Sequence, residues 1–295
     1  MVPNPSAPSP VVAIVLMCAA GLCFAVLDAT VKYLGAETDI PIMEIIWIRF
    51  VVHAVLSIVF LGPRTLPHLV KSARPLQQWL RGGFMLGATL CNFVAVNYLR
   101  LDQTATIFFL TPLVIAALAG PILNEWVGWR RLTAILAGFA GIVIVMRPGF
   151  GWIHWAVLFS FGATLSYACY SIVTRYLAAH DRPEVTQFYT PLTGVVATTP
   201  LALANWVWPD DPFTYVLLIW LGVAGALGHW LLILAHGRAP APVLAPFIYV
   251  NLVWMTILGF AVFGDVPDIA TLAGGAVVIG SGLYLLYRER RAARR

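Results

Sequence analysis

About ten uncharged, mostly apolar runs of roughly 17 to 25 residues fill the chain, separated by short polar breaks. A run of that length crosses the ~30 Å hydrocarbon core of a bilayer as one α-helix, at 1.5 Å per residue. The pattern predicts spans at 11–34, 42–61, 79–99, 104–122, 130–147, 152–177, 185–205, 214–235, 240–263 and 269–287. The breaks carry turn-forming residues, as at Gly62-Pro63, Pro148-Gly149, Pro209-Asp210-Asp211-Pro212 and Gly264-Asp265-Val266-Pro267. With almost no polar chain left between spans, function must reside between helices, in an all-α membrane protein.

Composition sharpens this picture. Hydrophobic residues make up 60% of the 295 positions and charged residues 11%, against about 25% charged in soluble proteins. There is no room for a second, water-soluble domain. Cys18, Cys23, Cys91 and Cys169 all lie in apolar runs without metal-ligand spacing and read as small hydrophobes in packed helices. The first ten residues hold no Lys or Arg, and the run from Val11 exceeds a signal-peptide core, so a retained first helix is expected.

The net charge of +5 has a distribution that argues for topology rather than for nucleic acid. On alternating sides of ten spans, fourteen Lys and Arg, including Arg64, Lys71, Arg74, Arg81, Arg130, Arg131, Arg175, Arg182, Arg238 and the RERRAARR tail, face Lys32, Arg100 and Arg147 on the other. The positive-inside rule then places both termini in the cytoplasm. Seven tryptophans, among them Trp79, Trp129, Trp155 and Trp208, fall at predicted span ends, where amphipathic rings favour the headgroup layer.

The chain also repeats itself. A shift of 143 residues lays Lys32-Tyr33-Leu34 on Arg175-Tyr176-Leu177 and Glu44 on Gln187, and a shift of 140 lays Glu125 on Asp265. This suggests five helices duplicated, 1–147 and 152–287, followed by a basic tail at 288–295. An odd number of spans per copy inverts the second copy across the membrane, a building plan of secondary transporters.

Arg49-Phe50 in the second span, the stretch from Asn97-Tyr98-Leu99 through Thr111-Pro112-Leu113 to Asn124-Glu125, and its weaker return from Ala245-Pro246-Phe247 to Gly264-Asp265 resemble the EamA family of the drug/metabolite transporter superfamily. Asp265 stands where that family usually has Glu. The resemblance covers essentially the whole chain and implies a ten-helix carrier with a central cavity lined from both repeats. It leaves the substrate open among amino acids, nucleosides, cofactors and other metabolites.

In-span polar groups supply the candidate site. A charge at a helix centre costs about 2.5–3.5 kcal/mol on insertion scales, so Asp28, Glu44 and Arg49 need a reason to be there. Asp28 and Arg49 lie at similar depth on consecutive helices, which makes a contact between them plausible, as a gate, a proton-coupling pair or a packing ion pair. Lys32 can snorkel outward. Candidate solute-binding residues are Asn92, Tyr98, Thr111, Tyr167, Tyr170, His229, Trp230, Tyr249, Asn251 and Trp254, an aromatic and polar set suited to a small-molecule site; each alone also fits ordinary interhelical packing. Pro112 and Pro246 are expected to kink the fourth and ninth spans. Gly83-x-x-x-Gly87 and Ala276-x-x-x-Gly280 are small-residue pairs that permit close helix approach, within the chain or in a homodimer.

No HExxH, GxSxG, Walker A or dinucleotide fingerprint is present. The expectation is a bacterial inner-membrane secondary transporter, not an enzyme, with no cofactor or metal and with protons as the candidate coupling ion. It would move a small polar metabolite, an amino acid or derivative, with export favoured. The rival readings are uptake or exchange of a nucleoside or S-adenosylmethionine-like solute, an intramembrane enzyme and a non-transporting scaffold.

Overall fold

The computed structural model describes residues 10–62, 66–123, 129–146, 154–177, 180–236 and 249–293, with Arg238 and Phe247. All regular structure in these residues is helical: α1 (Pro10–Glu37), α2 (Ile42–Leu61), α3 (Leu66–Leu69), α4 (Pro75–Tyr98), α5 (Leu101–Phe108), α6 (Thr111–Leu123), α7 (Trp129–Met146), α8 (Ala156–Leu177), α9 (Pro183–Ala204), α10 (Pro212–His236), α11 (Val250–Phe263) and α12 (Ile269–Ala293). Each predicted span contains helix. Five of them, α1, α2, α4, α8 and α10, are long and apolar enough on their own to cross a membrane.

The fourth span is broken, not merely kinked. Pro112 has no N–H to give to the carbonyl of Phe108, so the ladder fails there. The Thr111 hydroxyl donates to that carbonyl at 2.5 Å instead, and α5 gives way to α6 through Phe109 and Leu110. A polar side chain thus satisfies the backbone group that proline frees, as the membrane interior requires. Pro246, its expected counterpart, lies outside the described residues, as do Asn124 and Glu125.

Helix pairing follows a two-fold rule. α1 packs on α10 and α4 on α8; α2 packs on α10 and α4 on α9; α2 meets α9 and α7 meets α12. Exchanging first-half helices for their second-half counterparts turns each of these pairs into another member of the set or into itself. Because each half has five crossings, the second is inverted. The chain is an all-α membrane protein of two inverted repeats.

Apolar packing alone gives little association in lipid, so close backbone approach matters. It occurs between α7 and α12, where a Cβ added to Gly141 would lie 2.8 Å from the carbonyl oxygen of Gly274. The pairs expected from sequence behave differently: Gly83 and Gly280 have open space where a Cβ would go, and Gly87 faces Ser166 at 3.3 Å. Lys32 adds a contact that its snorkelling did not by itself foretell. It reaches toward the end of the bundle, where it bonds the Asp265 carboxylate at 3.0 Å and the Leu99 carbonyl at 3.2 Å, joining the two halves near the end of α1.

Candidate functional site

A cavity of about 160 Å³ lies among α1, α2, α4, α5, α8, α10 and α11. Its largest wall is a stripe on α4, Met85, Ala88, Thr89, Asn92 and Phe93, at the three- and four-residue spacing that puts side chains on one helix face. Phe24, Leu27 and Asp28 come from α1 at the same spacing. The broken fourth span contributes Thr104, Ala105 and Phe108, and single residues come from α2 (Arg49), α8 (Tyr167) and α10 (His229), with Asn251 and Met255 from α11. Both repeats therefore build the wall.

The α4 stripe also orients the two charged groups. Asn92 donates Nδ2–H to Asp28 Oδ1 at 2.9 Å, and Arg49 donates Nη1–H to the Thr89 hydroxyl at 3.0 Å. The Arg49 guanidinium also lies over the rings of Phe50 and Phe93, at 5.0 and 5.5 Å, where a cation is favoured. No ion pair joins Asp28 to Arg49 among the described residues. Their common depth is real, but α4 supplies a neutral partner to each. Arg49 Nε and Asn251 Oδ1 are buried on this wall without a hydrogen-bond partner, and buried polar atoms left so are costly unless water or a ligand completes them.

His229 closes one side. Its ring meets Phe24 edge-on at 5.1 Å and stacks on His53 at 5.5 Å. His53 is buried, and its Nε2 lies 3.3 Å from Nε2 of Gln187.

Of the candidate residues, Asp28, Arg49, Asn92, Tyr167, His229 and Asn251 meet at this cavity. The others stand elsewhere, for identifiable reasons. Tyr98 is 58% exposed at the end of α4, against His154 and Trp155. Trp230 is 41% exposed on the outside of α10, stacked on Phe60, a lipid-facing position. Thr111 repairs the break before α6. Trp254 donates Nε1–H to the Cys18 carbonyl, fixing α11 to α1. Tyr249 packs edge-on against Phe109, its hydroxyl above Gly282. Glu44 is fully buried and accepts the Val207 N–H at 2.9 Å, fastening α2 to the segment after α9. Tyr170 lies tilted against Tyr167, and its hydroxyl oxygen accepts from Arg81.

Arg81 is the largest departure. Counted on sequence among surface cations, it is buried at 3% exposure. Sequence reading also missed Phe24, Thr89, Phe93 and Phe108. The signal for Arg81 and Thr89 was the helix period itself: 81, 85, 89 and 92 share one face of α4. Among the described residues no group of three His, Cys, Asp or Glu stands ready to hold a metal ion.

The EamA-like transporter family matches residues 11–147 and, a second time, 154–288. The chain belongs to that family. It is 28% identical to a protein of Rickettsia bellii named S-adenosylmethionine uptake transporter, over 90% of each chain. A Vibrio cholerae riboflavin transporter is 26% identical over 95% of this chain and 94% of that one. The pseudopaline exporter CntI of Pseudomonas aeruginosa is 24% identical over 90% and 93%. A solved crystal structure shares the fold, with a TM-score of 0.65 at 18% identity over 95% of this chain and 98% of the other. This EamA protein is thus a multi-pass membrane protein of the small-molecule transporter class.

Proposed function

We propose that the protein carries a zwitterionic amino-acid derivative by alternating access, with Asp28 receiving the ammonium group and Arg49 the carboxylate. The observation that carries this reading is the cavity wall itself, where one carboxylate and one guanidinium face a common space without pairing with each other. A solute bearing both charges would complete them. Charge-assisted hydrogen bonds of this kind contribute about 1.5–3 kcal/mol each, and Asn251 adds an acceptor for a further N–H. In this reading Asp28 is also the proton-coupling group, since a carboxylate that receives an ammonium can exchange it for a proton.

Aromatic walls from Phe24, Phe93, Phe108 and Tyr167 favour a solute with a flat or apolar portion. A cavity of about 160 Å³ is below the roughly 300–1,000 Å³ usual for ligand sites. An amino acid fits it as it stands, and a purine-bearing derivative requires it to widen. The S-adenosylmethionine-like alternative shares the amino-acid head and adds a sulfonium charge, a ribose and a purine.

Export is the direction favoured on sequence, and relatives carry names of both directions. Counterflow in proteoliposomes tests the solute, and efflux from preloaded vesicles set against uptake tests the direction. With L-methionine, S-adenosylmethionine and adenosine as solutes, the zwitterions are expected to exchange and adenosine is not. Exchange of adenosine alone would remove the amino-acid head from the account. An imposed pH gradient should drive accumulation by the natural protein and not by Asp28→Asn.

A further inference from the structure

Arg81 is a second buried cation, and the cavity does not account for it. Its guanidinium donates Nε–H to the Thr174 hydroxyl at 2.6 Å and Nη1–H to the Thr190 hydroxyl and the Thr186 carbonyl at 2.6 and 3.0 Å. Nη2 donates to the Tyr170 hydroxyl at 2.6 Å, and the group lies 4.3 Å from the centre of that ring. Every partner is neutral. Among the described residues, no carboxylate forms an ion pair with it. The nearest route to an acid runs through Gln78, which bonds both Thr186 and Asp181. A neutral amide could tie α4 to α8 and α9 through the same hydroxyls, without the desolvation cost of a buried charge. The positive charge therefore calls for an anion that the resting protein does not contain.

Its position says which anion. α2 and α4 start at opposite ends of the bundle, being consecutive spans joined through α3. Arg49 lies seven residues into α2 and Arg81 six residues into α4, about 10 and about 9 Å from their respective ends at 1.5 Å per residue. The interfaces correspond as well. Arg49 sits where α2 packs on α10 and Arg81 where α4 packs on α9; repeat exchange converts one pair of helices into the other, with the cation carried by opposite members of the two pairs. Arg81 is connected to the cavity through the rings of Tyr170 and Tyr167, tilted against each other with centres 5.5 Å apart, the second of which is cavity wall.

We infer that Arg81 is a second docking position for the solute's carboxylate, taking it from Arg49 as access passes to the end of the bundle where α4 begins. The inference rests on the zwitterion reading for the identity of the solute, but its test does not use that solute. Acetate serves as the smallest carboxylate probe. Thermal stability of the purified protein is titrated with sodium acetate against sodium HEPES at equal ionic strength, with acetamide as the uncharged control. In Arg49→Gln, a saturable acetate shift is expected to persist, held by Arg81. In Arg49→Gln/Arg81→Gln it should vanish, and in Arg49→Gln/Arg81→Lys it should return. An absent shift in Arg49→Gln, or an equal shift after Arg81→Gln, overturns the inference. Should the double glutamine variant fail to fold, Arg49→Gln/Arg81→Lys decides. Replacing a guanidinium fork by a point charge should move the acetate midpoint by about tenfold, and an unmoved midpoint rejects the site. Failure of methionine counterflow with an intact acetate response would instead condemn the zwitterion reading alone.

Discussion

The flank formed by α7 and α12 and the cavity formed around α4 are held together in different ways. On the flank, two glycines bring backbones to van der Waals contact, and the nearest side chains to them are those of Val145, Val277 and Val278. Around the cavity, α4 meets its neighbours through Thr89, Asn92 and Arg81, and polar atoms of Arg49 and Asn251 are left without partners. The flank maximises contact, which is what association in lipid rewards. The cavity wall forgoes contact and keeps unspent hydrogen-bonding capacity, which is of use only if something else arrives. Rigid scaffold and candidate solute site are thus distinguishable by their satisfaction as well as their place.

The comparison breaks most sharply at Gly274. Gly274→Val would drive a branched side chain into the Gly141 carbonyl and Val145. Overpacking of this sort costs about 1–3 kcal/mol or more, so thermal melting should fall sharply while protein that does fold keeps its solute preference. Arg49→Gln should do the reverse. It removes a buried cation that forms no direct ion pair, so melting should change less than at Gly274, while counterflow of a zwitterion drops roughly ten- to a hundredfold, the equivalent of one charge-assisted bond. A smaller contrast separates wall from outer face: Asn251→Ala is expected to weaken transport by about fivefold, at ~1 kcal/mol for a neutral hydrogen bond, and Trp230→Ala to leave it unchanged.

The smallest effect lies outside both regions. Asp181, in the turn between α8 and α9, is pushed up by burial, but the Ser72 hydroxyl, the Ala73 N–H and Gln78 outweigh this and hold its carboxyl below the ordinary 3.8. A depressed acid stabilises the fold above its unfolded value, and that contribution disappears as pH falls through the folded one. Asp181→Asn should therefore lower stability by under about 1 kcal/mol near neutrality, given its exposure, and its melting curve should converge with that of the natural protein in acid.

Depth was legible in the sequence and azimuth was not. Hydropathy placed a helix in every span, and in-span polarity picked out Asp28, Arg49 and Asn92. Hydropathy cannot say which way a residue faces on a helix apolar all round, so Trp230 and Tyr98 were assigned inward when they point outward. Trp254 and Thr111 were selected for polarity that the structure spends on backbone carbonyls. Arg81 was lost for a different reason. The predicted span began at 79, which left Arg81 at its very end, whereas α4 begins at Pro75, and four residues carry the cation from the first helical turn into the second. The α4 period held the correction, because Arg81 is in phase with Met85, Thr89 and Asn92.

The Lys32–Asp265 bond spans the two halves at one end of the bundle and is only partly shielded from water. Ion pairs of this exposure contribute about 0–1 kcal/mol, so its loss would change the ratio of two access states by no more than about fivefold. The end is held by a clasp and not by a lock. Since ions screen such a pair over about 8 Å at physiological strength, alternating access as proposed would make the salt of the compartment it faces a dial on how often that door stands open.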